Sequence, residues 1–169
     1  NPKVEINMKT RMFIGSLALL LFLPAVLSCS EDDYIAYSPE FSDMTFATLD
    51  GKTEDFRVGD KIVATAVQSR IGKYLYKASY EWSSSPATAE HKPKKSAIYD
   101  NEPVNPTDTI VFTAPATYTL LFKGRYNISS SEFEPHNFTV RIPDGKITYS
   151  SPSWMYFDVT IEKKIVVKN

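Results

Sequence analysis

Residues 74–82 read YLYKASYEW, so that Tyr74, Tyr76, Ala78, Tyr80 and Trp82 share one face of an extended strand and Leu75, Lys77, Ser79 and Glu81 the other. The aromatic face is predicted to point inward. Upstream, residues 61–68 alternate Ile62, Ala64 and Ala66 against Val63, Thr65 and Val67, small on one side and branched on the other. That pattern predicts a strand covered on both faces. Residues 44–49 and 56–58 are shorter strand candidates separated by the turn Asp50-Gly51, with Gly59-Asp60 as the next turn. The polar, proline-punctuated segment after Ser83-Ser84-Ser85-Pro86 is too long for a structureless connection. It predicts a short edge strand over residues 96–99 and an exposed basic tip over 91–95. Residues 109–125 carry two more strands, and residues 137–142 and 147–149 form a hairpin about Pro143-Asp144-Gly145-Lys146. A loop over 150–154 leads into residues 155–168, where Phe157, Val159 and Ile161 face inward. There Lys163-Lys164 breaks the rhythm as a bulge or edge feature would. No sustained 3.6-residue period and no internal repeat follow residue 28, so the reading is all-β: seven to nine antiparallel strands in a β-sandwich.

One stretch sharpens that fold class. Phe112, Pro115, Tyr118, Leu120 and Phe122 fall at the spacing of the E-to-F region of immunoglobulin-like and PKD-like domains, which this segment resembles. The resemblance implies a tyrosine corner at Tyr118. It puts Leu120 where antibody domains carry their second cysteine, Trp82 on strand C, and residues 62–67 on strand B. It covers roughly residues 59–126 and departs from PKD domains in having Ala116 and Thr117 in place of the glycine before the tyrosine.

The N-terminal pattern is of a different kind. Lys9 and Arg11 precede an apolar run over residues 13–27, and Ser28 leads to Cys29, the single cysteine. A positive region, an apolar core and a small residue in that order are the anatomy of a secretory signal. The run is about fifteen residues and contains Pro24, whereas a spanning helix needs about 20 apolar residues. Met8 reads as the start, with residues 1–7 an upstream extension. Val26-Leu27-Ser28-Cys29 resembles the lipobox of bacterial lipoproteins, with Val26 where leucine is usual and Leu27 where a small residue is usual. The resemblance implies cleavage before Cys29 and lipidation of its thiol. Ser30-Glu31-Asp32-Asp33 in turn resembles the acidic signal that sends some Gram-negative lipoproteins to the cell surface; the other reading is a solvated acidic linker. The predicted organisation is a signal peptide over 1–28, a lipidated tether over 29–39 and a sandwich over 40–169, on the outer membrane.

Composition agrees with strands and narrows the chemistry. Ten Tyr, ten Phe and two Trp make the chain 13% aromatic, favouring pleated, half-buried surfaces. Cleavage would remove Lys3, Lys9 and Arg11 with Glu5, moving the net charge from −1 to −3 over 141 remaining residues. That length suits one domain with a real core. The charge points to neither nucleic acid nor nucleotide as partner. With Cys29 lipidated, no thiol remains for a disulfide or a nucleophile. His91 and His136 read as surface histidines in polar loops, with no carboxylate at ligand spacing, so neither a metal site nor a cofactor is expected. The GxSxG, P-loop, HExxH and nucleotide-binding glycine motifs are missing; Glu132 with Glu134 offers a carboxylate pair for glycoside hydrolysis, but on a tyrosine-lined loop such a pair more often serves solvation, so an enzyme is not expected.

Two candidate sites remain. Trp154 and Tyr156, with Tyr149, Tyr126 and Tyr99, make either a platform for sugar rings or ordinary core and rim packing. Asp108-Thr109-Ile110 resembles a bacterial O-glycosylation site with Thr109 as acceptor, while Asn127-Ile128-Ser129 and Asn137-Phe138-Thr139 match the eukaryotic N-glycan sequon. The function these features suggest is a non-catalytic lipoprotein that binds glycan or protein in an uptake or adhesion assembly. The alternative is a structural subunit contacting neighbouring envelope proteins.

Overall fold

A computed structural model describes residues 34–93 and 105–169. The expected strands at 96–99, Tyr99, Cys29 and the acidic stretch Ser30 to Asp33 lie outside the described residues. The strands are β1 (Ile35–Ala36), β2 (Glu40–Thr48), β3 (Lys61–Arg70), β4 (Leu75–Ser85), β5 (Ala89–Pro93) and β6 (Thr107–Phe112). They continue with β7 (Ala116–Ile128), β8 (Glu132–Phe133), β9 (Phe138–Ile142), β10 (Gly145–Ser153) and β11 (Tyr156–Val167). Sheet one orders β2-β3-β6-β5 and sheet two β4-β7-β11-β10-β9, while β1 and β8 form a small parallel pair. With β2 to β7 as strands A to F and β11 as G, these are the ABED and CFG sheets of an immunoglobulin-like sandwich, sheet two widened by β10 and β9. Among the described residues there are eleven strands against the seven to nine expected, β1 and β8 being two-residue pairings that no sequence period announces.

Alternation explains the core. Ile62, Ala64 and Ala66 of β3, Ile110 and Phe112 of β6, and Tyr118, Leu120 and Phe122 of β7 are all buried to the last per cent. Phe41 of sheet one meets Phe122 of sheet two with ring centroids 5.7 Å apart, and Trp82 packs on Phe122 at 4.9 Å. The unit Tyr34–Asn169 is compact and includes part of the expected tether, since Ala36 and Ser38 are buried.

The Tyr118 hydroxyl donates to the carbonyl of Ala114 at 2.7 Å and shares a 2.6 Å bond with the Thr88 hydroxyl, which makes the tyrosine corner. Tyr118→Phe removes a buried hydroxyl whose partners then lie unpaired. It should cost about 1.5 kcal/mol in denaturant unfolding, with the secondary structure unchanged.

Four expectations need correction. On β4 the inward set is Leu75, Ala78, Tyr80 and Trp82, and Tyr76 is exposed. A bulge between Leu75 and Lys77 in the pairing with β7 shifts the phase by one residue. Residues 56–58 form no strand, only a single bridge from Arg57 to Lys168. Lys163-Lys164 is no bulge: β11 stays in register with β7 from Tyr156 to Val167. Lys163 takes an inward-phase position, where its ammonium reaches Asp43 of β2 at 2.6 Å. His91, finally, lies in β5 rather than on an exposed tip.

Candidate ligand-binding end

One end of the sandwich gathers exposed aromatic residues. Strand β7 finishes there, and its last amides are taken by neighbouring turns: Ile128 N–H donates to the Met155 carbonyl and Ser129 N–H to that of Tyr74, both at 2.8 Å. The Ser130 hydroxyl bonds the Tyr34 carbonyl, and the Tyr34 and Tyr74 rings stack 6.2 Å apart. Gly72 makes the entry to β4 possible, because a Cβ there would lie 2.6 Å from the Tyr37 carbonyl oxygen. Over this frame the β10–β11 turn lifts Trp154, 65% exposed, with Met155, 50% exposed.

Behind the turn, the outer face of sheet two is polar. The Arg125 guanidinium forks onto Asp158, Nε to Oδ1 and Nη2 to Oδ2 at 2.8 Å each, across the register pair that β7 and β11 define. The same guanidinium lies 3.8 Å from the centre of the half-buried Tyr156 ring. The hydrogen bond to Asp158 raises the guanidinium pKa further above its already high value, so this cation is permanent. A groove of about 470 Å³ follows, lined by Ser79, Glu81, Lys123, Arg125, Asp158 and Thr160 among others. Hydroxyl groups and charges of both signs offer donors and acceptors together.

The five aromatic candidates therefore part company. Trp154 is exposed and Tyr156 half-buried under Arg125. Tyr126 and Tyr149 are core and cannot stack on a sugar. Strand β7 runs on past Gly124 to Ile128, which keeps Tyr126 in phase with Tyr118 and Phe122. Gly124 leaves room for that ring, since a Cβ there would come within 2.9 Å of the Tyr126 side chain. Tyr149 ties the sheets together: its hydroxyl accepts from Phe41 N–H at 2.8 Å, and burial pushes its pKa up. Thr109 sits mid-strand in β6, paired with Val63 of β3 and Lys92 of β5.

A second constellation was invisible in the sequence. His91 Nδ1 lies 2.6 Å from Asp108 Oδ2, and His91 Nε2 lies 3.1 Å from Ser84 Oγ. With the carboxylate accepting, Nδ1 carries a proton, and Nε2 shares a hydrogen bond with the serine hydroxyl. The order is that of a Ser-His-Asp relay. Its placement makes it a clasp, joining the edge strand β4 of sheet two to β5 and β6 of sheet one where the chain crosses between sheets. The expectation that His91 is a surface histidine in a polar loop thus fails, because β5–β6 pairing brings together residues 17 positions apart. His136 is likewise half-buried against Phe157, with Glu134 at 3.9 Å, while Glu132 and Glu134 are exposed. No group of three metal-ligating side chains occurs among the described residues.

Compared with protein-family models, curated proteins and solved structures, the chain has no match in any of the three.

Proposed function

We propose that this chain is a lipid-anchored binding protein of the bacterial outer membrane, displayed at the cell surface, that takes a glycan or a protein as an accessory subunit of an uptake or adhesion assembly. The resemblance of residues 26–29 to a lipobox supports the anchor, and Ser30 to Asp33 support display. Lipidation there gives durable attachment, since each buried methylene contributes about 0.8 kcal/mol and two chains suffice for stable anchoring. The observation that carries the binding role is Trp154, a large flat side chain held out at 65% exposure on the turn between β10 and β11. An indole so placed covers the C–H face of a pyranose. The role is binding, not catalysis.

The test compares the full chain with its Trp154→Ala variant on a glycan array. The variant should lose at least about tenfold in affinity, as a central aromatic anchor does, while its melting temperature stays within about 1 °C, as an exposed site permits. Equal binding by both chains, or no glycan bound by either, overturns the reading.

A further inference from the structure

Strand β9 is the outer strand of sheet two, and among the described residues no strand pairs with its far edge. The two-residue turn Pro143-Asp144 makes Ile142 and Gly145 the closing hydrogen-bonded pair of the hairpin. Alternation then fixes the rest of the strand. The polar groups of Phe138, Val140 and Ile142 are turned toward β10, and the N–H and C=O groups of Thr139 and Arg141 toward the open edge.

The side chains are set the same way. Phe138 and Val140 pair with the buried Tyr149 and Ile147, so they lie on the core-side face of the sheet. Sheet one does not reach beneath them: Phe138 is 45% exposed and Val140 43%. An open backbone edge thus coincides with an uncovered apolar ledge, the arrangement that templates strand addition.

The sequence of the edge says which strand fits. Phe138-Thr139-Val140-Arg141-Ile142 is symmetric in character about its centre. Laid antiparallel against a second copy with Val140 facing Val140, it sets Phe138 against Ile142 on the apolar side. On the polar side Thr139 faces Arg141, so no like charges stand directly opposite. Thr139 and Arg141 become hydrogen-bonded pairs that exchange both bonds, and Val140 becomes the close, non-hydrogen-bonded pair. We infer that β9 joins two copies of this chain edge to edge, continuing sheet two into one ten-stranded sheet about a two-fold axis. The contact is isologous and therefore closes as a dimer. It does not depend on what the Trp154 end binds.

Cysteine cross-linking in the full chain carrying Cys29→Ser tests the register. Val140→Cys should form a disulfide-linked dimer under a mild oxidant, because Cβ atoms in a non-hydrogen-bonded pair approach to bonding range. Thr139→Cys alone meets its own copy only diagonally, at roughly 7 Å, and should give about tenfold less dimer. Mixing Thr139→Cys with Arg141→Cys chains should restore it. In the absence of oxidant, Val140→Lys should sediment as a monomer where the parent chain sediments as a dimer. A monomeric parent, equal cross-linking at positions 139 and 140, or no disulfide at 140 overturns the inference.

Discussion

His91→Leu should lower the unfolding free energy by about 3 kcal/mol, roughly 10 °C in melting temperature for a domain of this size. The His91 side chain is 19% exposed and that of Asp108 is fully buried. Oδ2 of Asp108 meets His91, and Oδ1 has no partner among the described residues. Removing the imidazole takes from a buried carboxylate its partner among the described residues, and desolvating a charge costs more than the lost contact itself. The double replacement His91→Leu, Asp108→Leu should recover most of the loss, because nothing charged then remains inside. Chemical denaturation of the three proteins decides it; a single-variant loss under about 1 kcal/mol would mean Asp108 has another partner. Ser84→Ala should cost only about 1 kcal/mol, the value of one neutral hydrogen bond. Labelling of Ser84 by a fluorophosphonate would show that the clasp is catalytic instead.

Gly145→Ala should be comparably damaging for a steric reason. A Cβ at Gly145 would stand 2.1 Å from the Glu162 carbonyl oxygen and 3.0 Å from Lys163 Cα, both backbone atoms of β11. No side-chain rotation relieves that contact, so β10 must move away from β11 at the point where the β9–β10 hairpin begins. The expected cost is about 3 kcal/mol, the upper end for overpacking. Hydrogen exchange should locate it: amides of β9 and β10 should exchange faster while those of β3 and β6 keep their protection. Unchanged exchange in the hairpin would show that the close approach is not maintained.

The parts of the fold legible in the sequence were those encoded at short range. Ile62, Ala64 and Ala66 announced β3 by simple alternation, and Tyr118 with Leu120 and Phe122 announced a corner whose hydroxyl indeed returns to Ala114. Trp82 faced inward as its phase required. Local irregularity defeated the same logic: the bulge ahead of Lys77 inverted the expected roles of Leu75 and Tyr76. Lys163 shows another limit, because an ion pair to Asp43 satisfies a lysine at a position that period alone reserves for an apolar residue. At the candidate site, the sequence left Trp154, among serines and a proline, open between an exposed platform and packing, and it is exposed. Tyr126 and Tyr149 were not readable as core, since that depends on how far β7 and β10 run and on what the facing sheet places beneath them. The His91–Asp108 clasp was out of reach, because strand register between distant segments has no signature within either one.

The chain enters the sandwich at the same end that carries Trp154, since Tyr34 lies beside Ser130 and Tyr74. With Cys29 lipidated, only five peptide steps separate the lipid from Tyr34, a span of at most about 18 Å even when fully drawn out. With the proposed anchor in place, the aromatic end would stay close to the bilayer. A ligand for Trp154 would then be one met sideways, within the sugar layer or among the neighbouring proteins of the cell's own surface. Affinity for it need only be modest, because confinement to a shared plane replaces the search through bulk medium.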